Sequence, residues 1–330
     1  MDVLSGAVLQ AVLALSAEPD MRLWRRAPLA PFTTIGVGGR GAVLVTVATP
    51  EAAARALAIL TETRVPWAAL GAGSNVVVAD SGYTGVILKL DDAFQYVEGP
   101  FGSDRLDVDI VVGAAAPLPR VATFLADQGY GGLEFACGVP GTVGGGVAMN
   151  AGAHGGCMAD VVKAVEVAVP GETGWLSAED LEWRYRRCTL PREAMVLSVR
   201  LSVTPGDREQ ILTQHRMLQR RRRQTQPRGV RTFGSVFANP PGDVAGRLLE
   251  AAGMKGVRRG GAQVSNMHAN FLTNVGDATA ADVLGLMAMM REAVWRRSGV
   301  LLEPEVRVLG AEFPWERGEA ERPVPRAGRG

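Results

Sequence analysis

The stretch from Gly132 to Gly156 constrains this chain more than any other. Glycine recurs at Gly132, Gly138, Gly141, Gly144, Gly145, Gly146, Gly152, Gly155 and Gly156, with apolar residues such as Leu133, Phe135, Val139 and Val143 interleaved. Glycine loses more backbone freedom on folding than any other residue, so a cluster this dense signals left-handed turns or a close backbone approach. Charge is nearly absent, which argues against a flexible spacer. Two readings stay open at this level: a buried loop wrapped on a ligand, or a tight turn system inside a core.

With 330 residues, 47% of them hydrophobic, the chain can bury one large core or two ordinary ones. A formal net charge of +1 supplies no global field for nucleic acid or an anionic membrane. Lys89, Lys163 and Lys255 are the only lysines, which reads as a compositional bias toward arginine. Cys137, Cys157 and Cys188 lack CxxC or Cys-His spacing, as expected in a reducing cytoplasm. No His/Cys/Asp/Glu cluster has metal-ligand spacing, so no metal is expected. The apolar run of residues 3–17 is too short for a bilayer and carries Asp2 where a signal peptide would carry positive charge; it is expected to be a packing helix.

Residues 1–30 read as that helix and a connector. A second glycine-rich turn system, Gly36-Val37-Gly38-Gly39-Arg40-Gly41, leads into an apolar strand at 42–48. Thr49-Pro50-Glu51 starts a helix that runs to about Thr63. The next strand, 65–70, ends in Gly71-Ala72-Gly73-Ser74-Asn75, and Val76 to Val78 resumes as strand. A dinucleotide fingerprint needs a helix after the glycine loop. That helix is absent, so the loop is either a plain hairpin or a nest of backbone amides for a phosphate. Strands are expected at 85–90, 93–98, 105–112, 161–169 and 195–204, and a helix at 117–128. Composition shifts at Pro205-Gly206, where a domain boundary is placed. Helices follow at 207–223, 244–252 and, capped by Asp277 or Thr279, to about Arg297, with strands at 268–274 and 300–309. The last twenty residues, with mixed charge and prolines, are expected to be a disordered tail.

Several stretches together resemble one family. They are Thr34 with Gly38-Gly39, the loop of residues 71–75, Gly138-Val139-Pro140-Gly141-Thr142-Val143-Gly144-Gly145 with Asn150-Ala151-Gly152, and Tyr185-Arg186. To these are added Gly234-Ser235-Val236-Phe237 with Asn239-Pro240, His268-Ala269-Asn270, and Leu302-Glu303-Pro304-Glu305-Val306-Arg307. In this order and spacing they resemble the UDP-N-acetylenolpyruvoylglucosamine reductases, the MurB flavoenzymes, over about residues 20–310.

The resemblance implies an α+β chain: an FAD-binding half of the vanillyl-alcohol-oxidase/PCMH type, made of two α/β subdomains (31–205), then a smaller α+β substrate-binding domain (206–310). It implies non-covalent FAD, NADPH as hydride donor, and UDP-GlcNAc-enolpyruvate as substrate, reduced in peptidoglycan precursor synthesis. A cytoplasmic monomer is expected, with no nucleic-acid or membrane partner. FAD is assigned to Gly71, Ala72, Gly73, Ser74, Asn75, Gly138, Val139, Pro140, Gly141, Thr142, Gly144, Gly145, Asn150, Ala151 and Gly152. Ser235 resembles the family's proton donor, against the reading of a turn serine. Arg186 matches its catalytic arginine, with Arg184 and Arg187 as solvated neighbours; a guanidinium can hold a carboxylate with two hydrogen bonds. Glu305 matches the catalytic glutamate, with Glu303 as a supporting candidate and a surface ion pair as the alternative for either.

Tyr185, Arg222, Asn239 and His268 are assigned to the nucleotide-sugar. The arginine run Arg220–Arg223 could otherwise be a solvated helix end or a nucleic-acid patch, and His268 a core histidine. The stretch between Arg186 and Ser235 contains no tyrosine, which resembles the short-loop subtype of the family; Thr225 stands where a lysine is frequent. Two alternatives remain at this level: an FAD-dependent oxidase of the same fold, with His154 or Cys157 near enough to the glycine stretch for a covalent flavin, and a flavin-free nucleotide-sugar binder.

Overall fold

The computed structural model describes residues 5–101 and 107–316. The first residues of the expected N-terminal helix, the start of the expected strand at 105–112 and most of the expected tail lie outside them. The chain forms two compact units. Residues 1–27, 41–72 and 84–224 make the first, and residues 28–40, 73–83 and 225–330 the second.

Two larger sheets frame the first unit. One runs in the order Met21–Arg25, Gly41–Val47, Tyr83–Leu90, Trp67–Ala69. The other runs Glu172–Ser177, Val162–Val169, Met195–Pro205, Val108–Gly113, Val97–Phe101, antiparallel throughout, with Tyr130–Gly131 pairing at the end of Met195–Pro205. Helix Pro50–Glu62 begins as its sequence dictates: Thr49 accepts the Ala52 amide, and Pro50 occupies the first turn. It buries an alanine face with Leu57 and Leu60, each of which contributes about 1.5–3 kcal/mol by leaving water. Helix Leu118–Asp127 buries Leu118, Val121 and Leu125 in a separate core with Val165, Val199 and Leu201.

Two boundaries differ from the sequence reading. The chain leaves the first unit after Gln224, not near 205, because helix Arg208–Thr225 packs Ile211 and Leu212 on Ala126 and sets His215 against Thr123. Residues 31–40 and 73–83, expected in the cofactor half, belong to the second unit, as do residues 28–30 of the expected connector. There the added Cβ of Gly38 would lie 2.8 Å from that of Val78, and the carbonyl of Ala79 accepts the Gly39 amide at 2.8 Å.

The second unit is built on helix Ala280–Ser298. Thr279 and Asp282 form a capping box at its start, and Gly299 in the left-handed region ends it. Both Asp80 carboxylate oxygens accept amides of its first turn, from Ala280 and Ala281. Helix Ala245–Ala251 and the sheet Arg258–Arg259, Ala262–Val264, Leu272–Asn274 pack on it around Phe233, Phe237, Leu249 and Met287. Val76–Val78 pairs in parallel with Arg307–Leu309. The loop of residues 71–75 is therefore no hairpin: Trp67–Ala69 pairs with Tyr83–Leu90, in a different sheet. Residues 311–316, expected within the disordered tail, are ordered: Phe313 stacks on Trp315 at 4.6 Å, and Arg291 lies over Trp315 at 5.0 Å. Apolar burial of two aromatic rings outweighs the polar composition around them.

Candidate active site

In the first unit the glycine-rich loops meet. A Cβ on Gly71 would lie 2.6 Å from Thr142 Oγ1, so the loop after Trp67–Ala69 approaches the 138–145 stretch more closely than a larger residue permits. Thr142 accepts the Gly145 amide at 3.3 Å and caps the short helix Val143–Ala148. Gly144 backs onto Ala114, and Gly138 and Gly141 have φ of 73° and 132°. Ala151 is tied to Gly146 and Met158 by main-chain bonds, and Val139 to Ala136. Pro140 lies between the two left-handed glycines. Lys89 Nζ donates to the carbonyls of Leu70 (3.1 Å) and Gly71 (2.6 Å), so an ammonium anchors the first loop from beneath. Burial pushes its pKa down. Lys89 was missed as a site residue, and the available signal was its being one of three lysines in an arginine-rich chain.

Arg222 lies against this glycine face. A Cβ on Gly138 would meet its Cδ at 3.1 Å. Burial is the main influence that lowers its pKa, with Arg186 adding to the shift and Cys137 opposing it. Among the described residues no carboxylate pairs with it. A half-buried guanidinium with a second one near it calls for an anion. His154 belongs to the same group: burial first, then Arg222 and Arg221, push its pKa down.

The Arg184–Arg187 turn joins two short strands, Glu182–Arg184 and Arg187–Thr189. Arg186 sits at φ 59°, where a side chain costs energy, and donates from Nη1 to the Gly152 carbonyl at 3.3 Å. Its guanidinium lies 5.5 Å from the ring centre of the exposed Tyr185. Asn150, assigned from sequence to the cofactor, turns both ends of its amide to protein. Nδ2 donates to the Arg184 carbonyl at 3.1 Å, and Oδ1 accepts the Ala159 amide at 3.0 Å.

In the second unit Ser235 and Glu305 are neighbours through the main chain. The Glu305 amide donates to the Val236 carbonyl at 2.9 Å, and Phe237 forms a bridge with Pro304. Asn75 Nδ2 donates to the Glu305 carbonyl at 3.0 Å, so the end of the 71–75 loop braces the Glu305 segment. Gly73 is braced in turn by the Thr34 amide, at 3.1 Å from its carbonyl, and Ser74 lies between these two fixed residues. Glu303 points elsewhere: its side chain is 74% exposed and 3.9 Å from Arg291, the surface ion pair anticipated as its alternative. Asn239 caps helix Ala245–Ala251 by accepting the Ala245 amide at 3.0 Å. His268 packs edge-on against Phe271 and close to Gly246, accepts the Asn270 amide on Nδ1 at 3.2 Å, and has its pKa pushed down chiefly by burial.

Among the described residues no group of three His, Cys, Asp or Glu side chains could hold a metal, and no helix is long and apolar enough to cross a membrane. The first unit offers two loops of exposed backbone beside the Arg222 guanidinium, a donor set that fits the diphosphate of a dinucleotide cofactor. Residues 41–174 match the family model "FAD binding domain", and residues 226–309 match "UDP-N-acetylenolpyruvoylglucosamine reductase, C-terminal domain". The α+β architecture is thus that of an FAD-binding domain followed by a second, smaller one. A protein named UDP-N-acetylenolpyruvoylglucosamine reductase from Anaeromyxobacter sp. is 47% identical over 302 residues, covering 90% of this chain and 92% of its own. UDP-N-acetylenolpyruvoylglucosamine reductase 2 of Symbiobacterium thermophilum is 44% identical over 299 residues, covering 89% and 94%. The crystal structure of UDP-N-acetylenolpyruvylglucosamine reductase (MurB) from Thermus caldophilus is similar with a TM-score of 0.76 at 37% identity, covering 88% of this chain and 99% of that one. This chain belongs to the UDP-N-acetylenolpyruvoylglucosamine reductase (MurB) family.

Proposed function

We propose that this chain reduces UDP-N-acetylglucosamine enolpyruvate to UDP-N-acetylmuramate with NADPH and FAD, in peptidoglycan precursor synthesis. Family membership over both units supports the overall reaction. The observation that carries the residue assignment is the frame in the second unit that fixes the main chain of Ser235-Val236 to that of Glu305. Bound FAD supplies the hydride, taken from NADPH, that adds to the β-carbon of the enol ether double bond.

As that double bond is consumed, negative charge grows on the α-carbon and its carboxylate. Ser235 delivers the proton to the α-carbon. A serine hydroxyl is a weak acid, so the transfer depends on the charge developing beside it. Arg186 neutralises the substrate carboxylate, and its fixed charge and left-handed backbone fit a residue kept for its side chain. Glu305, which matches the family's catalytic glutamate, is kept as the second group of this proton delivery, and the Ser235 oxygen recovers its proton from solvent. Hydride plus proton saturate the double bond, and no other group is oxidised or reduced.

Arg222, expected from sequence on the nucleotide-sugar, lies on the Gly138 face and is reassigned in this reading, with the backbone of Gly138, Gly141 and Gly71, to the cofactor's diphosphate. Asn150 and Asn75 act by fixing the Arg186 turn and the Glu305 segment. Tyr185, Asn239 and His268 are kept for the nucleotide-sugar, and the chain is read as a short-loop, cytoplasmic monomer. Turnover in D2O with protiated NADPH tests the reaction. The product should be a lactyl ether that carries solvent deuterium at the α-carbon. Failure to form a lactyl ether would reject the proposal.

A further inference from the structure

Asn270 has no assigned role, yet it is 3% exposed in the core formed by Phe233, Val236, Phe237 and Leu272. A carboxamide in such a place is costly unless both its ends are bonded. Both are, and to one residue: Oδ1 accepts the Phe237 amide at 3.0 Å, and Nδ2 donates to the Phe237 carbonyl at 2.8 Å. The Asn270 carbonyl also accepts the Val236 amide at 2.9 Å. The segment that carries Ser235 is not part of a regular strand. It makes only isolated bridges, Ser235 with Phe271 and Phe237 with Pro304. The Asn270 side chain supplies the two rungs that a neighbouring strand would have supplied. On the other side of Ser235, Gly234 has φ 87° and open space where a Cβ would stand, so the chain turns freely there.

The geometry points to Asn270 as the positioning residue for Ser235, holding the main chain on one side of a glycine hinge so that the hydroxyl meets the α-carbon. This rests on the reductase reading above. Displacement of a reacting group by about 1 Å can cost a hundredfold in rate. The test uses FAD-loaded wild type, Asn270→Asp, which keeps the acceptor for the Phe237 amide, and Asn270→Ser as a second variant should the first not fold. Flavin reduction by NADPH and reoxidation by UDP-GlcNAc-enolpyruvate are followed separately without oxygen.

Reduction should stay within about twofold of wild type, while reoxidation at saturating substrate falls by about a hundredfold and its solvent deuterium isotope effect rises. In the Ser235→Ala background the same substitution should add little, since both act through one proton. Equal loss in both half-reactions, or full additivity with Ser235→Ala, would reduce Asn270 to a packing residue and overturn the assignment. A wild-type flavin that this substrate does not reoxidise would overturn the reductase reading itself, and the assignment with it.

Discussion

The amide of Glu305 donates to the carbonyl of Val236 at 2.9 Å, one residue from Ser235. Two chain segments far apart in sequence are thereby held in register, each carrying one group of the proposed proton delivery. Ser235→Ala should leave flavin reduction by NADPH unchanged and slow reoxidation by the enolpyruvyl substrate by about 10²–10⁴-fold. Stopped-flow absorbance of the two half-reactions checks this, and equal rates for mutant and wild type would remove Ser235 from the mechanism.

Asn150 holds the Arg184 carbonyl and the Ala159 amide while its own φ is 38°. Asn150→Ala should cost about 1–3 kcal/mol from the two lost partners. Asn150→Gly should cost about 1 kcal/mol less than Asn150→Ala, because glycine accepts the left-handed backbone. Denaturant melts of the two variants decide. Flavin should remain bound in Asn150→Gly, since the side chain serves the Arg186 turn.

Gly71→Ala places a methyl 2.6 Å from Thr142 Oγ1. The two loops must separate, at a cost of about 1–3 kcal/mol. FAD retention after gel filtration, or titration of the apoprotein with FAD, should show at least about tenfold weaker binding. Unchanged affinity would detach these loops from the cofactor.

His215 is 3% exposed, and its Nε2 lies 3.0 Å from Gln219 Nε2, an amide nitrogen that only donates. In its neutral form the ring can accept there. Burial, the largest influence, pushes its pKa below the usual 6.5, with Glu134 and Asp127 pulling the other way. The unfolded chain binds the proton more readily, so this contribution is full above about pH 6.5 and is lost as pH falls from there through the folded value. His154 and His268 are shifted down as well and add in the same sense. His215→Gln should flatten the pH dependence of stability below pH 6.5 by up to about one proton, as read from urea midpoints.

The sequence revealed what is local. The Thr49-Pro50 start of helix Pro50–Glu62 and the Thr279 cap of Ala280–Ser298 are dictated by residues within one turn. The strand Met21–Arg25 is hidden in a stretch that reads as connector, because its mixed Met-Arg-Leu-Trp-Arg sequence lies on an exposed sheet edge, where burial imposes no strong pattern. The pairing of Val76–Val78 with Arg307–Leu309 joins segments from opposite ends of the chain, and no spacing announces it. The helix Val143–Ala148 carries three glycines, whose poor propensity is overcome by the Thr142 cap and by packing on Ala114. Resemblance named Ser235, Arg186 and Glu305 as candidates, but the main-chain bonds that fix each segment were not legible. The roles of Lys89, Asn150 and Asn270 rest on which main-chain groups their polar ends meet, which only the folded chain defines.

The most direct measurement is the visible spectrum of the purified protein, first with NADPH and then with UDP-GlcNAc-enolpyruvate, under anaerobic conditions. The account predicts a bound-flavin spectrum that bleaches with NADPH and returns when that substrate is added. A flavin that recovers only on admission of air, or a protein that binds no FAD, would contradict it.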